Sequence, residues 1–329
     1  MSPAAAPPPG PAAGVAPDPG REGAAGAAGP SARPPGVPAP DGPPRAEGGV
    51  VSGPAPVLRL RHPGPRAAAR RLAVPADLRP VAGVLRRGGV LMAEVAALFA
   101  AAGARGGVLF LDGVTCEPFR YVLPALATDV AHAAWYSQTH APEGPVTIAT
   151  ATASVGWRDG APFLHGHGRW MVPGGEAMGH VLPFESRLAA DAEVTGFAAP
   201  GAWFEALPDA ETNFTLFTPA GGDATGAGLL LRLCPDEDVA TAIEAAAAAH
   251  GLARARVHGL GSICGVVFDD GRRVDCVATE VRIDDGRLAD GRCTLDISVV
   301  DVAGGIHAGR LLRGQNPVGV TFEIALVPA

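Results

Sequence analysis

The sequence predicts an α+β protein built from two similar halves, each a mixed or antiparallel sheet packed with one main helix. Two observations support this prediction. Each half opens with a strand, an alanine-rich helix and a second strand, and further β-type runs follow. The pattern returns after about 165 residues, a spacing that indicates tandem duplication of a domain and not a solenoid.

The first half begins with a strand predicted at Val57–Arg61 and a helix predicted at Leu91–Ala102. Gly103 follows that helix directly, as expected where a helix ends in the left-handed conformation that glycine adopts easily. A second strand is predicted at Gly107–Leu111. The later strands of this half are predicted at Val146–Ala151, Phe163–Met171 and Gly179–Pro183.

The second half repeats this order, with a strand predicted at Leu229–Leu233 and a helix at Asp236–His250. The helix has three acidic residues in its first turn and Gly251 just past its end, which suits the helix dipole and the C-terminal cap. The later strands of this half are predicted at Ala255–Gly259, Cys276–Ile283, Cys293–Val300 and Val318–Val327.

Composition divides the chain into four segments. Residues 1–55 are mostly proline, alanine and glycine, so they cannot bury enough apolar surface to fold and are predicted to be a disordered tail. The first domain is predicted at residues 56–219 and the second at residues 229–329, joined by a linker of small residues at 220–228.

The composition indicates a bacterial cytoplasmic protein. All 26 basic residues are arginine, and this bias, with so much alanine, glycine and proline, is typical of a GC-rich bacterial genome. The five cysteines are scattered and form no Cys-x-x-Cys pair, so neither a disulfide framework nor a thiolate zinc site is predicted. We expect no membrane span and no signal peptide.

Charge is concentrated in a basic segment near the start of the predicted first domain. Residues 59–87 contain eight arginines and one acid, a local charge of +7, so the rest of the chain carries −7 − 7 = −14. Such a segment could bind nucleic acid or an anionic ligand. The favoured interpretation is that these arginines pair with carboxylates of the protein itself.

Three of the nine histidines, His165, His167 and His180, fall within sixteen residues. His165 and His167 are two apart, so they lie on one face of a strand. A turn centred on Pro173-Gly174 places His180 opposite His167, and a turn centred on Gly174-Gly175 keeps it on the same face. Three imidazoles on one face indicate a divalent-metal site, with zinc preferred and an open coordination position. The alternative is ordinary polar strand surface.

An acid or base beside such a metal would make catalysis possible. Glu185, five residues after His180, is the candidate catalytic residue, although a solvated carboxylate or a partner of a ligand histidine is the simpler interpretation. Cys116 is predicted to be a buried packing residue and not a nucleophile. Other polar residues that could serve as the acid or base are Tyr136 and His140 in residues 121–145, and Glu205, Glu211 and Asn213 near the end of the first domain. For each of them a structural role is the simpler interpretation.

These motifs resemble two tandem copies of the plants-and-prokaryotes-conserved (PPC) domain, over about residues 56–329. The segments that carry the resemblance are Phe163–His167 and Met178–Leu182 in the first copy, then Gly259–Ser262, Thr294–Asp301, Ala308–Leu312 and Gly319–Leu326 in the second. Residues 121–145 are longer than the family pattern. The resemblance implies a metal held by His165, His167 and His180, and a fold distantly similar to a domain of α-acetolactate decarboxylase.

The two copies differ at the metal site. Where the first has its three histidines, the second has Thr294, Asp296 and Arg310. A guanidinium stays charged at any working pH and would repel a metal ion, so the second copy is predicted to bind none. Arg310 and Asp296 are expected to pair across their hairpin.

Three functions follow as hypotheses. The first is a zinc-dependent protein that binds or transforms a small molecule, as a lyase or hydrolase. The second is a DNA-associated regulator, which the absence of an Arg-Gly-Arg-Pro core and the acidic body oppose. The third is a structural module, because the resemblance to PPC domains implies assembly as a trimer. A homotrimer of this chain would form a ring of six similar units.

Overall fold

The computed structural model describes residues 57–223 and 225–329, which contain 21 strands and two helices. The predicted disordered tail, residues 1–55, and Ala224 in the predicted linker lie outside the described residues. The first half contains β1 (Arg71–Ala76), β2 (Arg79–Leu85), α1 (Leu91–Ala101), β3 (Gly106–Phe110), β4 (Thr115–Cys116), β5 (Tyr121–Val122), β6 (Pro124–Leu126), β7 (Ala134–Tyr136), β8 (Val146–Arg158), β9 (Ala161–Val172), β10 (Gly175–Val181), β11 (Ala192–Ala199), β12 (Ala202–Pro208) and β13 (Thr215–Gly221). The second half contains β14 (Gly228–Leu233), α2 (Val239–Ala249), β15 (Ala255–Ile263), β16 (Val266–Val267), β17 (Arg273–Val274), β18 (Glu280–Ala289), β19 (Arg292–Val300), β20 (Ile306–Arg310) and β21 (Val318–Pro328).

The strands form two large sheets. The first sheet has the order β2-β11-β3-β8-β9-β10-β5, and the second has the order β1-β14-β21-β15-β18-β19-β20. Neighbouring strands along both orders are antiparallel, and the short pairing of β12 with β8 is parallel. The first sheet is built from the first half of the chain. The second takes its edge strand β1 from the first half, so the two halves share a sheet.

The predicted α+β class is wrong, because the protein is mostly β. Among the described residues only α1 and α2 are helical over any length, at eleven residues each, whereas β8 alone spans 13 residues. Each helix covers one face of one sheet. The opposite faces of the two sheets pack on each other through a third apolar cluster, which includes Phe204 and Leu230. Each sheet is covered by a single helix on one face and by the other sheet on its opposite face. Strand residues therefore outnumber helical residues.

Both helices were correctly predicted to within three residues at each end. Asp238 caps α2, because its carboxylate accepts a hydrogen bond of 2.9 Å from the backbone N–H of Thr241. Gly103 and Gly251 have φ of +64° and +70° just beyond the two helices, as the C-terminal signals predicted. Neither helix in the described part of the chain is long and apolar enough to cross a bilayer.

The strand predicted at Val57–Arg61 is wrong, since these residues have no regular secondary structure. The edge position beside β14 is taken by β1, which runs antiparallel to β14 from Arg71 opposite Leu233 to Ala76 opposite Gly228. Strands β1 and β2 were not predicted, and they carry the chain from the second sheet to the first.

Five of the eight arginines of the basic segment pair with carboxylates, which agrees in part with the favoured interpretation. Arg86, for example, lies 3.0 Å from Asp191, and Arg59 lies 2.6 Å from Asp236. The five arginines with such a partner are Arg59, Arg70, Arg71, Arg79 and Arg86. These pairs neutralise much of the local positive charge.

Candidate metal centre

The hairpin formed by β9 and β10 brings the three predicted histidines together. His167 lies directly opposite His180, which is the register that a turn centred on Pro173-Gly174 predicts. One ring nitrogen from each of His165, His167 and His180 lies within 4.8 Å of the others. Sequence spacing therefore located this cluster correctly.

Strand alternation explains why the histidines face the second sheet. On β9, Leu164 and Trp170 point into the core beneath α1, whereas His165 and His167 take the opposite face. Trp170 is fully buried and packs edge-on against Phe119, with ring centroids 4.9 Å apart. Truncating such a buried aromatic residue costs about 3–5 kcal/mol, so this contact fixes the strand that carries the ligands.

Glycine at position 179 lets β10 lie close to β5. A Cβ atom there would be 2.4 Å from the carbonyl oxygen of Val122, a separation that real side chains do not tolerate. His180 follows directly and is paired with Val122 across the strands. The small residue before His180 therefore helps to set the position of its imidazole.

The second sheet supplies hydrogen-bond partners to two of the histidines. His165 Nδ1 lies 2.9 and 3.0 Å from the two carboxylate oxygens of Glu323 on β21. His167 Nδ1 lies 3.0 Å from the carbonyl oxygen of Val281 on β18. Both partners are acceptors, so each Nδ1 carries a hydrogen and donates it. Ligand histidines in metal sites are commonly oriented by a carboxylate or a backbone carbonyl in this way.

The same two histidines face each other through their other nitrogens, with Nε2 of His165 and Nε2 of His167 only 3.0 Å apart. Because each Nδ1 donates, both Nε2 atoms of the neutral rings present lone pairs. Two lone pairs at this distance repel each other. A proton on one ring or a cation bound by both removes the repulsion, so the arrangement favours a cation at this point.

Burial keeps the other two imidazoles neutral. The pKa of His167 and that of His180 are both held well below the ordinary 6.5, first by burial and then by the charge of His165. A neutral imidazole is the form that binds metal. His180 Nδ1 is buried and has no hydrogen-bond partner among the described residues, so it too is available as a ligand atom.

This donor set fits a divalent metal. Tetrahedral zinc with bonds of about 2.0–2.1 Å to nitrogen places its ligand atoms about 3.4 Å apart, a separation between the 3.0 Å and 4.8 Å that bound this cluster. Three neutral nitrogens leave one position of a tetrahedral ion open. Imidazole suits several other divalent metals as well.

A cavity of about 130 Å³ adjoins the histidines. Its walls are largely apolar and aromatic, and Tyr136 meets His180 edge-on with ring centroids 5.2 Å apart. The apolar lining from the first half includes Trp135, Tyr136, Phe163, Phe214, Leu216 and Phe217. The polar lining from the second half comprises Ser262, Thr279, Glu280, Thr321 and Glu323. The site is therefore a composite of both halves of the chain.

The corresponding position of the second half holds an ion pair. Arg310 lies directly opposite Asp296, as His180 lies opposite His167, and its guanidinium donates two hydrogen bonds of 3.0 Å to the carboxylate. This confirms the predicted pairing. A bidentate pair of this kind occupies the carboxylate and leaves a positive group where a metal would bind.

Glu185, the candidate catalytic residue, lies in the turn after β10 and is partly exposed. Its backbone N–H donates to the carbonyl of Leu182 at 3.3 Å. It is not among the described residues that line the cavity, nor is it part of the histidine group.

The remaining polar candidates have structural contacts. Glu211 is buried in an ion pair with Arg70, and Glu205 accepts a hydrogen bond of 2.7 Å from the indole of Trp203. His140 stacks on Tyr121, and Asn213 donates to the carbonyl of Ala131 at 2.9 Å. Burial raises the pKa of the Cys116 thiol to about 12, which fits the predicted packing role.

Two residues of the site were missed from sequence, Glu280 and Glu323. Each is a lone acid within a run of strand residues, in Thr279-Glu280-Val281 and Phe322-Glu323-Ile324. Both are buried, with relative exposures of 5% and 1%. A carboxyl group at a core position of a strand is a signal of a polar site, because acids are buried only with a partner or a function.

Parts of the chain are similar to solved structures. A metal-containing protein from Archaeoglobus fulgidus is 18% identical, with 44% of this chain and 96% of that chain covered and a TM-score of 0.36. A plant- and prokaryote-conserved protein from Pyrococcus horikoshii is 17% identical over 43% of this chain and 93% of that chain, with a TM-score of 0.35. A protein from Ralstonia eutropha proposed to bind DNA is 18% identical over 42% and 89% of the two chains, with a TM-score of 0.30.

No protein-family model and no curated protein matches the chain. The similarities to solved structures have TM-scores below 0.5 and assign neither family nor function. The geometry of the site is therefore the basis for assigning a function.

Proposed function

We propose that this protein binds one divalent metal ion, preferably zinc, through His165, His167 and His180, and that the ion holds a small oxygen-containing molecule in the adjoining cavity. An ion bound there would supply a Lewis acid with an open position, which can polarise a carbonyl or lower the pKa of a bound water. A lyase or hydrolase activity is the enzymatic form of this proposal.

One observation carries the proposal: the facing Nε2 atoms of His165 and His167. Their separation of 3.0 Å, with each Nδ1 already donating to an acceptor, makes a cation the natural occupant between them. The neutral state of His167 supports a metal in preference to a shared proton, since burial resists charging of that ring.

The protein's own residues would perform three tasks. Glu323 orients His165 and increases its basicity, and the carbonyl of Val281 fixes the tautomer of His167. The aromatic walls would exclude water from the bound molecule and contact its apolar part. The second half therefore contributes orientation without contributing a metal ligand.

Metal titration of the full-length protein tests this proposal. After treatment with a chelator, wild type is expected to bind one zinc per chain in calorimetry, and His167→Ala is expected to bind none with measurable affinity. His250→Ala is the matched control, because His250 lies at the end of α2 and its ring contacts the carbonyl of Ala246. Zinc binding that survives His167→Ala would disprove the proposal.

Four ideas remain proposals from the sequence: trimeric assembly, DNA binding, a bacterial cytoplasmic location and the likeness to α-acetolactate decarboxylase.

The structure provides one observation that is relevant to DNA binding. Pairing of the basic segment with the protein's own carboxylates leaves less positive charge for phosphate contacts. This observation favours a small molecule over DNA as the ligand.

A further inference from the structure

Two buried polar atoms of the second half line the cavity without a hydrogen-bond partner among the described residues. They are Oε2 of Glu280 and Oγ1 of Thr321. Both residues have a relative exposure of 5%. Buried polar groups are nearly always paired, so two orphans in one cavity need an explanation. A ligand that pairs with both would supply it.

Strand alternation places these two residues on one face of the second sheet. Arg282 on β18 and Glu323 on β21 face the first sheet, since Arg282 donates a hydrogen bond of 3.1 Å to the hydroxyl of Thr152 and Glu323 contacts His165. Glu280 and Thr321 each lie two residues from one of these on the same strand, so their side chains take the same face. The Ser262 hydroxyl accepts a hydrogen bond of 2.8 Å from the N–H of Val320, so it has a structural partner. Glu280 and Thr321 are thus the cavity-lining residues of this half whose buried polar atoms lack a partner among the described residues.

Glu280 lies outside the cluster of metal-binding nitrogens. The group of side chains close enough to share an ion consists of the three histidines, and no carboxylate of the described chain belongs to it. Burial raises the pKa of Glu280 well above its ordinary value, which favours the neutral acid. A neutral carboxyl group can donate a hydrogen bond to an oxygen of a ligand.

The rest of the cavity limits the size and nature of that ligand. Its volume of about 130 Å³ is close to that of an apolar protein cavity of about 150 Å³ that admits benzene. Aromatic residues line it as well, among them Trp135, Phe214 and Phe217. A ligand that suits both kinds of lining has a polar group and a compact apolar body.

We propose that Glu280 and Thr321 are ligand-binding residues for a small carbonyl compound that has two neighbouring oxygen functions at one end and an apolar body of benzene size at the other. This inference rests on the proposed metal site, because the first oxygen would face the ion while the second reaches Glu280 and Thr321. Neither residue would bind the metal.

Hydroxamates are suitable probes, since they present two neighbouring oxygens and the apolar group can be varied. In the zinc-loaded full-length protein, we expect benzohydroxamate to bind at least about tenfold more tightly than acetohydroxamate, because only the former fills the aromatic part of the cavity. Glu280→Leu and Thr321→Val should each weaken benzohydroxamate binding about fivefold or more, the effect of losing one hydrogen bond. Glu280→Gln, which keeps a donor, should stay within about twofold of wild type.

Thr279→Val is the matched control. Thr279 also lines the cavity, but its hydroxyl accepts from the N–H of Ile263 at 3.1 Å and donates to the carbonyl of the same residue at 2.7 Å. This variant should lower stability in urea unfolding and leave hydroxamate affinity unchanged. Thr321→Val should show the opposite result, with stability maintained or increased because an unpaired buried hydroxyl is removed.

The outcomes separate this inference from the metal proposal. Absence of zinc binding in wild type would overturn both. Normal zinc binding with unchanged benzohydroxamate affinity in Glu280→Leu and Thr321→Val would overturn the inference alone. Loss of zinc binding in Glu280→Gln would show that Glu280 is a metal ligand. Loss of stability in Thr321→Val would show that the Thr321 hydroxyl is structural. Either result would also overturn the inference.

Discussion

Replacing Glu323 by glutamine tests whether the second half of the chain tunes the metal site. The carboxylate contacts His165 Nδ1 at 2.9 and 3.0 Å, and its side chain is only 2% exposed. Glutamine has nearly the same shape and can still accept the hydrogen bond, so the tautomer of His165 is retained. What is lost is the negative charge beside a ring that is proposed to bind a cation.

The size of the effect follows from the kind of hydrogen bond. A bond to a charged group contributes about 1.5–3 kcal/mol and a neutral one about 0.5–1.5 kcal/mol, so the change removes roughly 1.3 kcal/mol. That corresponds to about a tenfold weaker zinc affinity, the lower end of the range for residues that orient metal ligands. Glu323→Leu, which leaves Nδ1 without an acceptor, should weaken binding further.

Zinc affinity is best measured by competition with a fluorescent chelator at a fixed pH near 7.5. Glu176→Gln is the control, because Glu176 lies on the same hairpin and its carboxylate pairs with Arg169 at 2.7 Å instead of with a histidine. It should leave zinc affinity at the wild-type value. A folded Glu323→Gln variant with wild-type zinc affinity would refute the role assigned to the second half.

Three further predictions concern pH, stoichiometry and thiol reactivity. Burial lowers the pKa of His258 from 6.5 to about 4, so between these values the unfolded chain binds a proton that the folded chain does not. Protonation of this residue in the unfolded chain should lower the free energy of unfolding of the metal-free protein by about 2 kcal/mol between pH 7 and pH 5. In urea unfolding, His258→Leu should lose about 2 kcal/mol less than wild type over the same pH range. Wild type should bind one zinc in elemental analysis, and a second equivalent should require at least Asp296→His with Arg310→His; two equivalents in wild type would contradict this. Iodoacetamide at pH 8 should alkylate Cys116 only after unfolding, as peptide mapping can show, and rapid labelling of the native protein would contradict its burial.

Local sequence signals predicted the helices and the hairpin that carries the three histidines. The caps of α2 depend on Asp238 and Gly251, both adjacent to the helix that they end. The register that brings His180 opposite His167 depends on the turn between them. Each of these features is set by residues close in sequence, and such features can be inferred from spacing alone.

Features that depend on the packing of the two sheets could not be predicted in this way. Glu323 is 158 residues from His165, and only the stacking of the sheets brings them into contact. Strand β11, Ala192–Ala199, is rich in alanine and glycine, residues with weak strand preference, so it gave little signal. Missed strands of this kind explain why an α+β class was expected for a protein that is mostly β.

X-ray absorption at the zinc edge of the loaded protein tests the central claim most directly, because it reports the ligands of the ion. The proposed site predicts three imidazole nitrogens at about 2.0–2.1 Å and one oxygen ligand from solvent. The His180→Ala variant should lose one imidazole contribution. Sulfur at about 2.3 Å, or fewer than three imidazoles in the wild-type protein, would contradict a metal site built from His165, His167 and His180.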